Sequence, residues 1–123
     1  MSDVWKQLVA LAQAEVAATV MSLPPPLRKK ARALPVTYER WPSAALVEDG
    51  VEPDSLGLFV GGEFAEGENA VMPAQIILFL ESIWDMVESS PEDFRAEIRT
   101  TLLHELGHYL GLNEDELLDR GLE

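Results

Sequence analysis

Cysteine is absent from the 123-residue chain, which excludes a disulfide scaffold, a thiolate zinc finger, an iron–sulfur centre and a cysteine nucleophile together. Any metal must therefore be held by nitrogen and oxygen. Positive charge is also scarce: nine Lys and Arg face 22 Asp and Glu, for a formal net charge of −13. The deficit is uneven, since residues 1–47 carry six basic and three acidic side chains and residues 48–123 carry three and nineteen. Such a surface repels a phosphate backbone over most of the chain, because sequence-independent affinity for nucleic acid comes from Lys and Arg that displace counterions. No nucleic-acid partner is expected. The one basic cluster, Arg28, Lys29, Lys30 and Arg32, reads as a solvated helix face before it reads as an adaptor surface for RNA or anionic lipid.

Long apolar runs are lacking too. The longest uncharged stretches, 16–27 and 69–80, have twelve residues each and both contain proline, short of the roughly 18 that span a bilayer. Asp3, Lys6 and Glu15 interrupt the region where a secretory signal would be continuous. The expectation is a cytoplasmic protein with no membrane partner. A chain of this length buries roughly two-thirds of its unfolded surface, so a single domain over residues 1–123 is expected to stand without staples.

Trp5, Leu8, Val9, Ala12, Val16 and Val20 recur at spacings of three and four, which predicts an amphipathic helix over residues 3–21. Pro24, Pro25 and Pro26 end it, and a short basic helical turn is expected over 26–33. Three β-prone segments follow at 36–41, 56–60 and 75–80, separated by turn chemistry at Glu48-Asp49-Gly50 and Gly61-Gly62-Glu63. Ile83, Trp84 and Val87 suit a helix within 81–89. Ser90-Pro91-Glu92-Asp93 is a helix start, with serine as N-cap, proline in the first turn and acids where the dipole favours them. That helix is expected to run to about Gly111, with Ile98, Leu102, Leu103, Leu106 and Leu110 on its buried face. Asn113 and Glu116 form a capping box for a short last helix.

Both histidines of the protein lie in the long helix, as His104-Glu105-Leu106-Gly107-His108. Residues four apart stand one turn above each other on one face, so the two imidazoles can converge on one zinc ion. Glu105 is rotated by about 100° from His104, which sets its carboxylate beside such a metal, in reach of a water's proton. Thr101, Leu102 and Leu103 before the motif, Leu106 and Gly107 within it, and Tyr109 and Leu110 after it are uncharged, as a metal helix wedged inside a protein requires. Gly111 permits a sharp turn after the helix, and that turn can bring Glu114 back under the metal as third ligand, with Asp115 as the alternative. Three ligands and one open position make the catalytic arrangement of zinc. Tyr38 and Tyr109 are read as packing residues before oxyanion donors.

The pattern His104-Glu105-x-x-His108-x-x-Gly111-x-x-Glu114, within FRAEIRTTLLHELGHYLGLNEDELLDRGL at 94–122, resembles the small zincin-like proteins. These are a bacterial group of about this length that looks like a minimal zinc-metallopeptidase fold. The likeness extends back through 75–80 to 56–60. Metzincin peptidases end the same spacing in a third histidine, where this chain has Glu114, as the small family commonly has an acid. The resemblance implies a metallopeptidase. The fold expected is α+β: an N-terminal backing helix, a small mixed sheet of about three strands, the HExxH metal helix and a short C-terminal helix. The function expected is hydrolysis of a peptide bond in a peptide or protein substrate, with Zn²⁺ on His104, His108 and Glu114 and with Glu105 as general base. An extended peptide is expected to add to a sheet edge at 56–61. The alternative is a non-catalytic metal-binding or protein-interaction module that keeps the zincin fold, since 123 residues leave little material for a second lobe to wall a cleft.

Overall fold

The computed structural model describes residues 2–61 and 74–110. The chain is α+β: helix α1 (Ser2–Met21), α2 (Pro25–Arg32), strand β1 (Val36–Glu39), α3 (Ala44–Glu48), β2 (Gly57–Val60), β3 (Gln75–Phe79), α4 (Leu80–Met86) and α5 (Pro91–Leu110). Each expected element over these residues is present, and the strands are shorter than their β-prone segments. The helix α3 is an addition to the expected set. It forms because the Ser43 hydroxyl accepts from the Leu46 N–H at 3.2 Å and so caps the turn. The expected stop at Gly111, the Asn113 capping box, the last helix and most of the turn Gly61-Gly62-Glu63 lie outside the described residues.

The two helices before the sheet are set by their ends. Ser22 Oγ donates to the Thr19 carbonyl at 2.6 Å, satisfying an orphan acceptor of the last turn of α1. Proline then opens α2, where its missing N–H costs nothing, and the Arg28 N–H reaches the Pro24 carbonyl at 2.9 Å. One side of α2 buries Leu27 and Ala31; the basic cluster occupies the remainder.

The sheet has the order β1-β3-β2. β1 runs parallel to β3, from Val36 opposite Ile76 to Glu39 opposite Phe79. β2 runs antiparallel, from Gly57 opposite Leu78 to Val60 opposite Gln75. The middle strand carries the most apolar segment, and its Ile76, Leu78 and Phe79 are fully buried, as a strand covered on both faces should be. β3 passes straight into α4, and the Glu81 N–H bonds to the Arg40 carbonyl at 3.1 Å, tying the end of β1 to the new helix.

The connection from α4 to α5 turns on Glu88 and Ser89, both left-handed with φ of 53° and 62°. Ser90 then caps α5, its Oγ accepting the Asp93 N–H at 3.3 Å. Once launched, α5 packs on α1, α4, β2 and β3, and Phe94, Ile98, Leu102 and Leu106 carry its core face. Phe94 meets Trp84 edge to face, ring centroids 5.6 Å apart. Among the described residues no helix is long and apolar enough to cross a membrane.

Candidate functional site

The C-terminal half of α5 carries the histidine pair. Leu102, Leu103, Leu106 and Tyr109 are buried around it, so the register of the helix is locked by packing, and His104 and His108 fall on a side that the core leaves open. The two Nε2 atoms stand 3.3 Å apart, and the ring planes cross at 56°. Two nitrogens bound at about 2.05 Å to one tetrahedral ion are separated by about 3.3–3.4 Å. The pair therefore has the spacing of two ligands sharing a zinc ion. Its donor set, two imidazole nitrogens beside a carboxylate, is also of the type zinc takes.

Glu105 and His104 also line a groove of about 300 Å³ between α5 and the start of β2. Ser55, Leu56 and Gly57 form the strand side; Glu97, Thr100 and Thr101 continue the helix side. The groove exists because Gly57 lets the strand approach. A Cβ at that position would lie 2.6 Å from the Thr101 methyl, closer than packed atoms tolerate. Ser55 Oγ donates to the Gly57 carbonyl at 3.0 Å, and Thr101 Oγ1 donates to Glu97 Oε2 at 2.9 Å, so the polar groups along this wall are fixed from both sides.

The sequence-expected residues divide clearly. His104, Glu105 and His108 are brought together on one stretch of helix, with the first two on the groove. Glu114 and Asp115 lie outside the described residues. Among the described residues no group of three His, Asp or Glu side chains is gathered closely enough to hold a metal. Neither tyrosine opens into this groove. Tyr109 is buried, its ring edge-on to Phe59 with centroids 5.8 Å apart. Tyr38 sits on β1 and lines a separate cavity with Val16, Val20 and Arg32; burial pushes its phenol pKa up from the ordinary value.

Sequence reasoning passed over Gly57, Thr101 and Glu97. A glycine inside an apolar strand is a known sign of close backbone approach, and Gly57 between Leu56 and Leu58 carries that sign. Thr101 and Glu97 had no comparable signal, since each looks like an ordinary helical position until the strand is laid against it.

A family model described as zincin-like metallopeptidase matches residues 31–122. The match takes in every element from β1 to α5. No curated protein matches the chain.

Proposed function

The chain belongs to the zincin-like metallopeptidase family, and on that premise we propose that it is a zinc-dependent peptidase with His104, His108 and Glu114 as metal ligands and Glu105 as general base. The observation that carries this reading is the 3.3 Å separation of the two imidazole nitrogens at a groove that Glu105 also lines. Zinc, when bound, supplies acidification of a water and polarisation of the scissile carbonyl.

The residues of the chain do the rest. His104 and His108 present imidazole nitrogen donors from a helix that cannot rotate without disturbing the core. Glu105 takes a proton from the attacking water and passes it to the leaving amine, a role worth typically about 10² to 10⁴ in rate. Glu114 completes the donor set by the turn that Gly111 permits, and Asp115 is the alternative. An extended stretch of a peptide or protein substrate lies along β2, an outer strand of the described sheet, and bonds to the backbone edge that is unpaired among the described residues. Neither nucleic acid nor a membrane has a part in this scheme.

Metal analysis joined to digestion of a proteome-derived peptide library tests it. The wild type should hold about one zinc per chain and cut a subset of peptides. His104→Ala and His108→Ala should lose the metal, because two remaining donors hold zinc weakly. Glu105→Gln keeps the shape and removes the basicity, so metal content should stay while cleavage falls at least about a hundredfold. Glu114→Ala should weaken zinc far more than Asp115→Ala; the reverse ranking moves the third ligand to Asp115. A zinc-replete wild type that cuts nothing makes the protein a metal-binding module on a zincin fold, and full activity in Glu105→Gln overturns the mechanism.

A further inference from the structure

A second hollow adjoins the groove beside His104. It has a volume of about 390 Å³ and is lined by Trp41, Asp54, Leu56, Ser82, Asp85 and Met86. Leu56 lines both, so the two spaces share a lining residue.

Three independent features of this hollow ask for an occupant. Trp41 and Met86 are large apolar side chains that stand 47% and 48% exposed. Among the described residues Asp54 and Asp85 carry no ion pair, Arg40 and Glu81 form the one salt bridge, and Arg40 is further held over the Trp5 ring at 4.7 Å. Ser82 is 5% exposed, and its buried hydroxyl has no hydrogen-bond partner among the described residues, a state that costs stability until something supplies one.

These features are complementary to one kind of group. An aromatic face and a thioether accommodate an alkyl stem, a cation over the tryptophan ring is attracted by its quadrupole, and two carboxylates receive N–H donors. Among the described residues no Lys or Arg lines the hollow to compete for them. We propose that it is a specificity pocket for a cationic side chain of the peptide substrate, arginine before lysine, since a planar guanidinium both stacks and bonds in a fork. The site selects substrates with a basic residue close to the bond that is cut. Its assignment to substrate rests on the peptidase reading; its affinity for the cation does not.

The test separates the two. Glu105→Gln protein carrying one equivalent of zinc is titrated, by calorimetry and by NMR shifts, with acetylated Ala/Leu hexapeptides bearing one arginine at each position in turn. Citrulline counterparts keep the shape and remove the charge. At one position arginine should bind about tenfold more tightly than citrulline. The preference should vanish in Asp54→Asn/Asp85→Asn and shrink in Trp41→Leu, with the fold checked by circular dichroism. Glu48→Gln/Glu92→Gln removes the same charge elsewhere and should leave the preference intact. Equal affinity for the two peptides at every position overturns the proposal, as does a preference that the remote pair lowers as much as the pocket pair does. Selective arginine binding by a protein whose wild type cuts none of these peptides keeps the pocket and overturns the peptidase reading.

Discussion

Helices α1 and α5 are both 20 residues long and lie against each other, yet they are covered to different degrees. α1 is one-sided: Leu8, Ala12 and Thr19 are buried, Trp5, Val9, Val16 and Val20 flank them, and residues such as Lys6, Gln7 and Gln13 face water. α5 is covered more deeply, with Phe94, Ile98, Thr101, Leu102, Leu103, Leu106, Gly107 and Tyr109 all buried, while Glu92, Asp93, Arg95 and Ala96 in its first turns are exposed. Toward its C-terminal end the open positions include a polar strip of Glu97, Thr100, His104, Glu105 and His108. The polar side of α1 is a solvated face, whereas the polar strip of α5 is a slot left by the packing around it. A histidine in such a slot has neighbours that restrict its rotamers, and ordering them during folding removes a cost that binding would otherwise carry.

Substitutions on the two helices can break that contrast. Phe94→Ala should produce the largest loss of stability, about 3–5 kcal/mol in urea unfolding, while half-buried Trp5 on α1 should lose only about 1–2 kcal/mol on truncation to alanine. Equal losses would mean that α1 is as central as α5. Gly57→Ala should cost about 1–3 kcal/mol and weaken zinc binding, because its new methyl must displace the Thr101 side chain beneath the groove. Adding Thr101→Ser, which deletes the clashing methyl and keeps the hydroxyl on Glu97, should recover much of that loss; strict additivity of the two would place the strain elsewhere. Ser90→Ala should destabilise by about 1 kcal/mol through loss of the α5 cap, measurable as a lower Tm at constant metal content. Smallest is the opposite change, Ser89→Gly, which relieves a left-handed residue in the turn that launches α5 and should stabilise by about 0.5–1 kcal/mol.

Much of the local structure was legible in the order of residues. The periodicity of Trp5 to Val20, the proline run, the Ser90-Pro91 start and the leucine stripe of α5 are short-range patterns, and such patterns report elements because they depend on neighbours three or four positions away. The His104-Glu105-x-x-His108 face belongs to the same class, since helical geometry alone stacks its two imidazoles. The helix α3 was missed because one serine cap and five residues make too weak a period to read. Strand ends were overestimated at Trp41 and Leu80 for a different reason: β-propensity continues through both residues, while pairing with β3 stops at Glu39 and the chain bends into α4.

The sequence by itself determined the absence of thiolate chemistry, the acidic C-terminal half, the identity and spacing of the HExxH residues, and the helix that carries them. Tertiary structure decided which side of that helix stays open, that Gly57 admits β2 to within contact of Thr101, and that Leu56 lines two hollows whose walls come from residues as distant as Trp41 and Met86. The division has a physical cause. Helical phase is set by backbone bonds between residues four apart, so one stretch of chain contains all the information about it. A groove is the space left between elements after packing, and its shape depends on contacts between segments whose separation along the chain carries no periodic signal.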